Sequence, residues 1–238
     1  LIWKKVWITV AIFLFIFVLP SILYLLKDFK DNSIEQEQSL RSESIKNWTR
    51  QEVLKDSKFY FLLPAVLCPA FLITGIFINQ IYLFENLNWG THFIAPSFTA
   101  YAVFSVLSLQ LSGFLIDRFS AIKILPFYLI PMIFGLFISF QFKYALSPVI
   151  FFILIAITNG TSNVLLTSTW SEMYGTKHLG AIRSVTVSLM VFSTSLSPLL
   201  FGHLIDLGMT AKEIIISMII YALFSNGLLL LRLKSYKP

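Results

Sequence analysis

The 238-residue chain is 57% hydrophobic and only 13% charged, and 24 of its residues are phenylalanine. Charge is thus about half as frequent as in an average soluble domain, which argues against one water-soluble core and makes lipid the better solvent. A single cysteine, Cys68, excludes an internal disulfide framework and any multi-cysteine metal site, so the net charge of +6 must be read from where the charges fall.

A charge at mid-bilayer is costly, so uncharged stretches of about 17–25 residues are read as membrane spans. Seven emerge in chain order: 6–26, 59–82, 91–116, 124–142, 148–169, 184–205 and 214–231. The first is too long for the apolar region of a signal peptide. Because the chain starts at Leu1 and not at Met, it is expected to be a fragment. Apolar residues cover nearly every face of these segments, whereas membrane strands would be short and alternating. The expected class is all-α, a polytopic membrane helix bundle.

Between the first two spans lies the one soluble-looking segment, rich in Ser, Glu, Gln and Lys. Its first half, 28–46, lacks the apolar content to fold alone. Its second half carries Thr49-Arg-Gln-Glu52, a capping box that starts a helix. Trp48, Val53 and Leu54 are expected to lie against the membrane surface there. Asn47-Trp-Thr49 spells a glycosylation sequon, which is inert on the cytoplasmic side.

Orientation follows from Lys and Arg. One side receives fourteen of them, including Lys46, Arg50, Arg118, Lys123, Lys177 and Arg183, and the other receives Lys4, Lys5, Lys143 and Lys212. The richer side, holding the 27–58 loop and the C-terminus, is expected to be cytoplasmic. On this reading the charge reports topology, not a nucleic-acid partner.

Between the third and fourth spans stands Gly113-Phe-Leu-Ile-Asp117-Arg118-Phe-Ser120-Ala-Ile-Lys123. This resembles the G-x-x-x-D-R-x-G-x-x-[KR] loop of the major facilitator superfamily, in the copy that joins helices eight and nine. Ser120 stands where the family usually has its second glycine. Trp170-Ser-Glu172-Met-Tyr174-Gly175-Thr-Lys177-His178-Leu-Gly180-Ala-Ile-Arg183 is similar to the family's connection between helices ten and eleven. Leu196-Ser-Pro198-Leu-Leu-Phe-Gly202-His-Leu-Ile-Asp206 resembles the end of helix eleven, and Trp3-Lys4-Lys5-Val6-Trp7 the turn before helix six.

The resemblance implies the C-terminal half of a major facilitator superfamily fold. Residues 1–26 would be the last helix of the N-terminal half, 27–58 the central loop and 59–238 the six-helix C-terminal domain. It further implies secondary active transport of a small solute by alternating access, in a bacterial inner membrane. The expected partners are membrane lipid, a small-molecule substrate and the missing N-terminal half, with no cofactor and no metal. A gate is implied at Gly113, Asp117, Arg118, Lys123, Glu172 and Arg183. Its Asp117 would face the start of helix five in the other half. On physical grounds Gly113 permits close approach of a neighbouring helix, and Asp117 suits the positive end of a helix dipole. Arg118, Glu172 and Arg183 share one membrane face, so a charge cluster joining two turns is expected.

Transporters bind substrate near mid-membrane between repeats, so polar side chains at helical spacing are the candidates. The third span offers Ser97, Tyr101, Ser105, Ser108 and Ser112 along one face. Serines there also serve as packing residues between helices. The fifth span carries Asn159, Asn163 and Thr167, and amides at such spacing need a partner helix or a cavity. With Asn79 and Gln80 on the second span, the substrate candidates are Asn79, Gln80, Tyr101, Ser105, Asn159 and Asn163. No Asp, Glu, Lys or Arg lies mid-span. A proton-coupling carboxylate, or a base for an anionic substrate, would have to lie in the missing half. The family resemblance implies basic residues in helices eight and eleven of anion-exchanging members, and their absence here counts against a dicarboxylate. No HExxH pair, GxSxG elbow, phosphate loop or mid-membrane aspartate pair supports an enzyme. The alternatives are a membrane scaffold or regulator, and a homodimeric half-transporter.

Overall fold

The computed structural model describes residues 2–26, 46–141 and 146–231, and every regular element among them is helical. The weakly apolar stretch 28–45 and the charges Lys143, Arg232, Lys234 and Lys237 lie outside the described residues. The chain divides into two units, Leu1–Ser44 and Ile45–Pro238.

The described part of the first unit is helix α1 (Ile2–Phe13), a π turn (Leu14–Val18) and α2 (Leu19–Leu26). Pro20 explains the wide turn. It has no N–H for the carbonyl four residues back, and its ring crowds that turn. The ladder adapts by bonding the Leu19 N–H to Leu14 O, five residues back. Apolar side chains project from this helix in all directions, with Trp7 67% and Phe15 71% exposed. Such a surface is stable only in lipid or against other helices.

The second unit is a bundle of α3 (Arg50–Lys55), α4 (Ser57–Ile78), α5 (Gln80–Asn86), α6 (Ile94–Phe119), α7 (Ala121–Ile124), α8 (Ile130–Gln141), α9 (Ser147–Tyr174), α10 (Leu179–Asp206) and α11 (Ala211–Leu231). Short 3-10 turns, Thr91–Phe93 and Leu125–Phe127, precede α6 and α8. Among the described residues seven helices are long and apolar enough to cross a membrane, as the sequence predicts. Two predicted spans are broken. The segment 59–82 bends at Asn79, whose side chain donates to Gly75 O at 3.0 Å, and 124–142 is interrupted near Pro126 and Pro131.

Packing follows small residues. α9 lies chiefly against α6 and α8, while α4 lies against α10 and α11. A Cβ on Gly160 of α9 would stand 2.3 Å from Ser105 O and 2.9 Å from Ser108 Cβ of α6. One on Gly75 of α4 would stand 2.2 Å from the Phe201 ring and 2.8 Å from Ser197 Oγ of α10. These are the close approaches expected of membrane helices. Gly113 makes none, since nothing lies within 4 Å of a Cβ placed there. Its predicted contact is absent from the described residues.

Pro64 and Pro69 sit inside α4. Pro69 cannot donate to Ala65 O, and no water is at hand in a bilayer to replace that bond. The buried Tyr128 hydroxyl takes its place and donates to Ala65 O. The Tyr221 hydroxyl of α11 reaches Pro64 O at 3.5 Å. Similarly, the orphan Met132 N–H in the first turn of α8 finds Thr158 Oγ1 of α9 at 3.1 Å.

Residues 46–58 form a strap over one end of the bundle, here termed the basic end. The capping box at its start is formed: Thr49 N–H donates to Glu52 Oε2 at 2.8 Å, and Thr49 Oγ1 accepts from Glu52 N–H at 3.4 Å. Lys46 pairs with Glu52 at 3.1 Å. The Thr49 N–H, then Lys46, hold the Glu52 carboxyl down at about 2. The expectation that Trp48 and Val53 rest on the membrane surface is corrected. Trp48 packs edge-on to Tyr174, Val53 is buried, and the Trp48 N–H donates to Tyr174 O at 2.9 Å. The reason is a local fit at Gly175, whose φ of +82° admits the Asn47 carboxamide, leaving it to accept from the Lys177 N–H at 3.2 Å.

Candidate functional site

Three of the six substrate candidates meet. The Tyr101 side chain on α6 lies beside Ser105, one turn on, and Asn159 of α9, where Gly160 packs against the Ser105 carbonyl. The buried Ser105 hydroxyl has no hydrogen-bond partner among the described residues. Aromatic rings surround them: Phe77 of α4 lies 4.9 Å from both Phe98 and Tyr101, and Phe152 of α9 lies 5.1 Å from Phe98. All three candidates are half-buried. The arrangement joins α4, α6 and α9 and offers a phenol, an amide and a hydroxyl beside apolar ring faces.

The rest of the serine face packs. Ser97, Ser108 and Ser112 are buried, and Ser108 and Ser112 donate to carbonyls of their own helix at 2.6 and 2.8 Å. Asn163 is exposed one turn beyond Asn159 and donates to Asn159 O at 3.0 Å. Asn79 is spent on the bend of its own helix. The Gln80 side-chain oxygen is buried without a hydrogen-bond partner among the described residues. The oxygen of Asn226 on α11 is in the same condition. The sequence reading passes over Asn226, although an amide inside the last apolar run was a visible signal.

At the basic end the turn from α6 into α7 is built on Ser120, at φ +75°, where glycine would sit more easily. Its hydroxyl donates to Glu172 Oε2 at 2.7 Å. The Ala121 and Ile122 N–H groups also donate to Glu172, at 2.8 and 3.2 Å. One carboxylate from α9 thus satisfies the orphan donors of α7 and fastens the turn. Glu172 is committed to this task, and no ion pair joins it to Arg118 or Arg183 among the described residues. Arg118 instead lies over the Phe119 ring, 5.4 Å from its centre. Asp117 and Lys123 are exposed on the same turn.

Arg183 lies elsewhere. It lines a cavity of about 90 Å³ between α4, α9 and α10, together with Asn163, Thr167, Trp170 and Thr186. The structure therefore brings one gate candidate and one substrate candidate to the same cavity, which nothing in their spacing signals. Among the described residues there is no group of three or more His, Cys, Asp and Glu suited to a metal.

The sequence model of the Major Facilitator Superfamily matches residues 1–198 of the chain. No match to a curated protein was found.

Proposed function

From the premise that the chain belongs to the Major Facilitator Superfamily and is an integral membrane transporter, we propose that it moves a small solute by alternating access. The observation that carries this reading is the juxtaposition of Tyr101, Ser105 and Asn159 beside the rings of Phe77, Phe98 and Phe152. Polar groups are expensive at that depth and are kept where they bind something. On this proposal α4, α6, α9 and α10 face a second bundle across the pathway, and the solute binds between the two. The bias of Lys and Arg supports a cytoplasmic basic end.

Asp117 is the proposed gate residue. It is exposed and makes no hydrogen bond or ion pair among the described residues, so its carboxylate is available to a partner in the opposing bundle. If that contact holds the basic end closed, Asp117→Asn biases the protein towards opening there. A loss of about 1.4 kcal/mol changes the ratio of the two states about tenfold. The check is cysteine accessibility at the basic end in membranes, parent against Asp117→Asn, together with tracer flux. More labelling and less flux are expected at unchanged expression. Unchanged labelling with full flux would leave Asp117 without a gating role.

A further inference from the structure

The cavity beside Arg183 has a chemistry distinct from that of the seam around Tyr101. Arg183 lies in the second turn of α10, and its side chain has no hydrogen bond or ion pair among the described residues. The nearest carboxylate along the chain, Glu172, is already bonded to Ser120, Ala121 and Ile122. The guanidinium carries five N–H donors in a planar fork that matches an oxyanion. Arg183 is exposed at this helix end, as an interfacial arginine can be, so an anion from the aqueous or headgroup side can reach it.

The surroundings suit such a ligand. Trp170 is 2% exposed and forms a water-excluding wall. Asn163 uses one side-chain N–H on Asn159 O and keeps a second. Thr167 and Thr186 donate to Asn163 O at 3.0 Å and to Arg183 O at 2.9 Å. These are bonds within their own helices, from which a hydroxyl can turn towards an incoming oxygen. A water takes about 30 Å³ of liquid volume, so the 90 Å³ cavity admits the head of a ligand the size of a carboxylate or one edge of a phosphate.

We propose that this cavity is an oxyanion-binding site, in which Arg183 holds a carboxylate or phosphate group between α9 and α10. The group can belong to a solute or to the headgroup of an acidic lipid. The site requires only the cavity and its arginine, and it stands independently of solute binding at Tyr101 and Asn159.

The test uses the purified full chain in uncharged detergent at constant ionic strength. Inorganic phosphate and acetate are titrated while tryptophan fluorescence is followed, since Trp170 lines the cavity. Saturable binding of at least one probe is expected, about tenfold weaker in Arg183→Gln and partly retained in Arg183→Lys. Binding should be unchanged in Lys177→Gln, which removes a cation of the same end that does not line the cavity. Should Arg183→Gln not fold, Thr167→Val is expected to weaken binding severalfold. In phosphatidylcholine nanodiscs, added phosphatidylglycerol that displaces the probe identifies a lipid headgroup as the source. Retained binding identifies a free solute. Equal affinity in parent and Arg183→Gln, or no saturable binding of either probe, would overturn the proposal.

Discussion

Helices α9 and α10 are each 28 residues long, yet they live differently in the fold. Half of the apolar window of α9 is buried inside the unit (50%), against 17% for α10. α9 carries Thr158, Gly160, Ser162 and Thr169 at its buried positions, and small residues let α6 and α8 come close. α10 presents Val191, Phe192 and Leu199, all more than 60% exposed. Apolarity alone therefore does not say what a membrane helix packs against. α9 organises this unit, burying Phe151, Phe152 and Trp170 as well as its small residues, while α10 offers large apolar side chains to lipid or to another bundle.

The hardest way to break this contrast is to make the same change in both helices. Gly160→Leu would drive a side chain into the backbone of α6 at Ser105. Overpacking of that kind costs about 1–3 kcal/mol or more, and we expect a clear fall in thermal stability in detergent with loss of expression. Gly202→Leu on α10 meets nothing within 4 Å and should stay within about 0.5 kcal/mol of the parent. Equal losses would erase the distinction between the helices.

A smaller effect is expected where α4 is repaired by its neighbours. Tyr128→Phe leaves Ala65 O buried and unpaired, a loss of about 1–3 kcal/mol. Pro69→Ala supplies the missing N–H from within the helix, so in that background Tyr128→Phe should cost much less. A double-mutant cycle on unfolding free energy measures this coupling, and additive losses would show that the tyrosine acts only by packing.

The smallest effect belongs to the exposed strap. The Glu52 carboxyl is lowered from 4.5 to about 2, so its contribution to holding the strap is fully present above pH 4.5. It is lost as pH falls towards 2. Trp48 fluorescence should report loosening in that window in the parent. In Glu52→Gln the window should be missing, while the bundle melts normally at neutral pH.

Most of the span count was legible because long uncharged runs have few alternatives to a membrane helix. The breaks were not read: Pro20, Pro126 and Pro131 stand in the sequence as signals that were passed over, and the bend at Asn79 depends on a side-chain bond back to Gly75. Helix ends were read short. The charge criterion ends the fifth span before Glu172 and starts the sixth after Arg183, whereas α9 runs to Tyr174 and α10 begins at Leu179, because a helix continues past the hydrocarbon into the interface. The Thr49 capping box was legible from four residues. Its twin, Thr210-Ala-Lys-Glu213, has the same spelling and forms the same reciprocal bonds at 2.7 and 3.4 Å, yet it was passed over. At the candidate site, spacing named Tyr101, Ser105 and Asn159, which the fold brings together, but not that Glu172 spends itself on Ser120. That depends on a turn conformation which the substitution of glycine by serine disguises.

The most direct test of transport along the exposed face of α9 is the reactivity of one introduced cysteine, Asn163→Cys, one turn from Asn159, with buried Cys68 replaced by serine. Membrane vesicles of both orientations are treated with a small, charged, membrane-impermeant thiol reagent. We expect labelling from both sides, with the rates from the two sides moving in opposite directions when Asp117→Asn is added. No labelling from either side, or labelling from one side only and unchanged by Asp117→Asn, would contradict alternating access along this face.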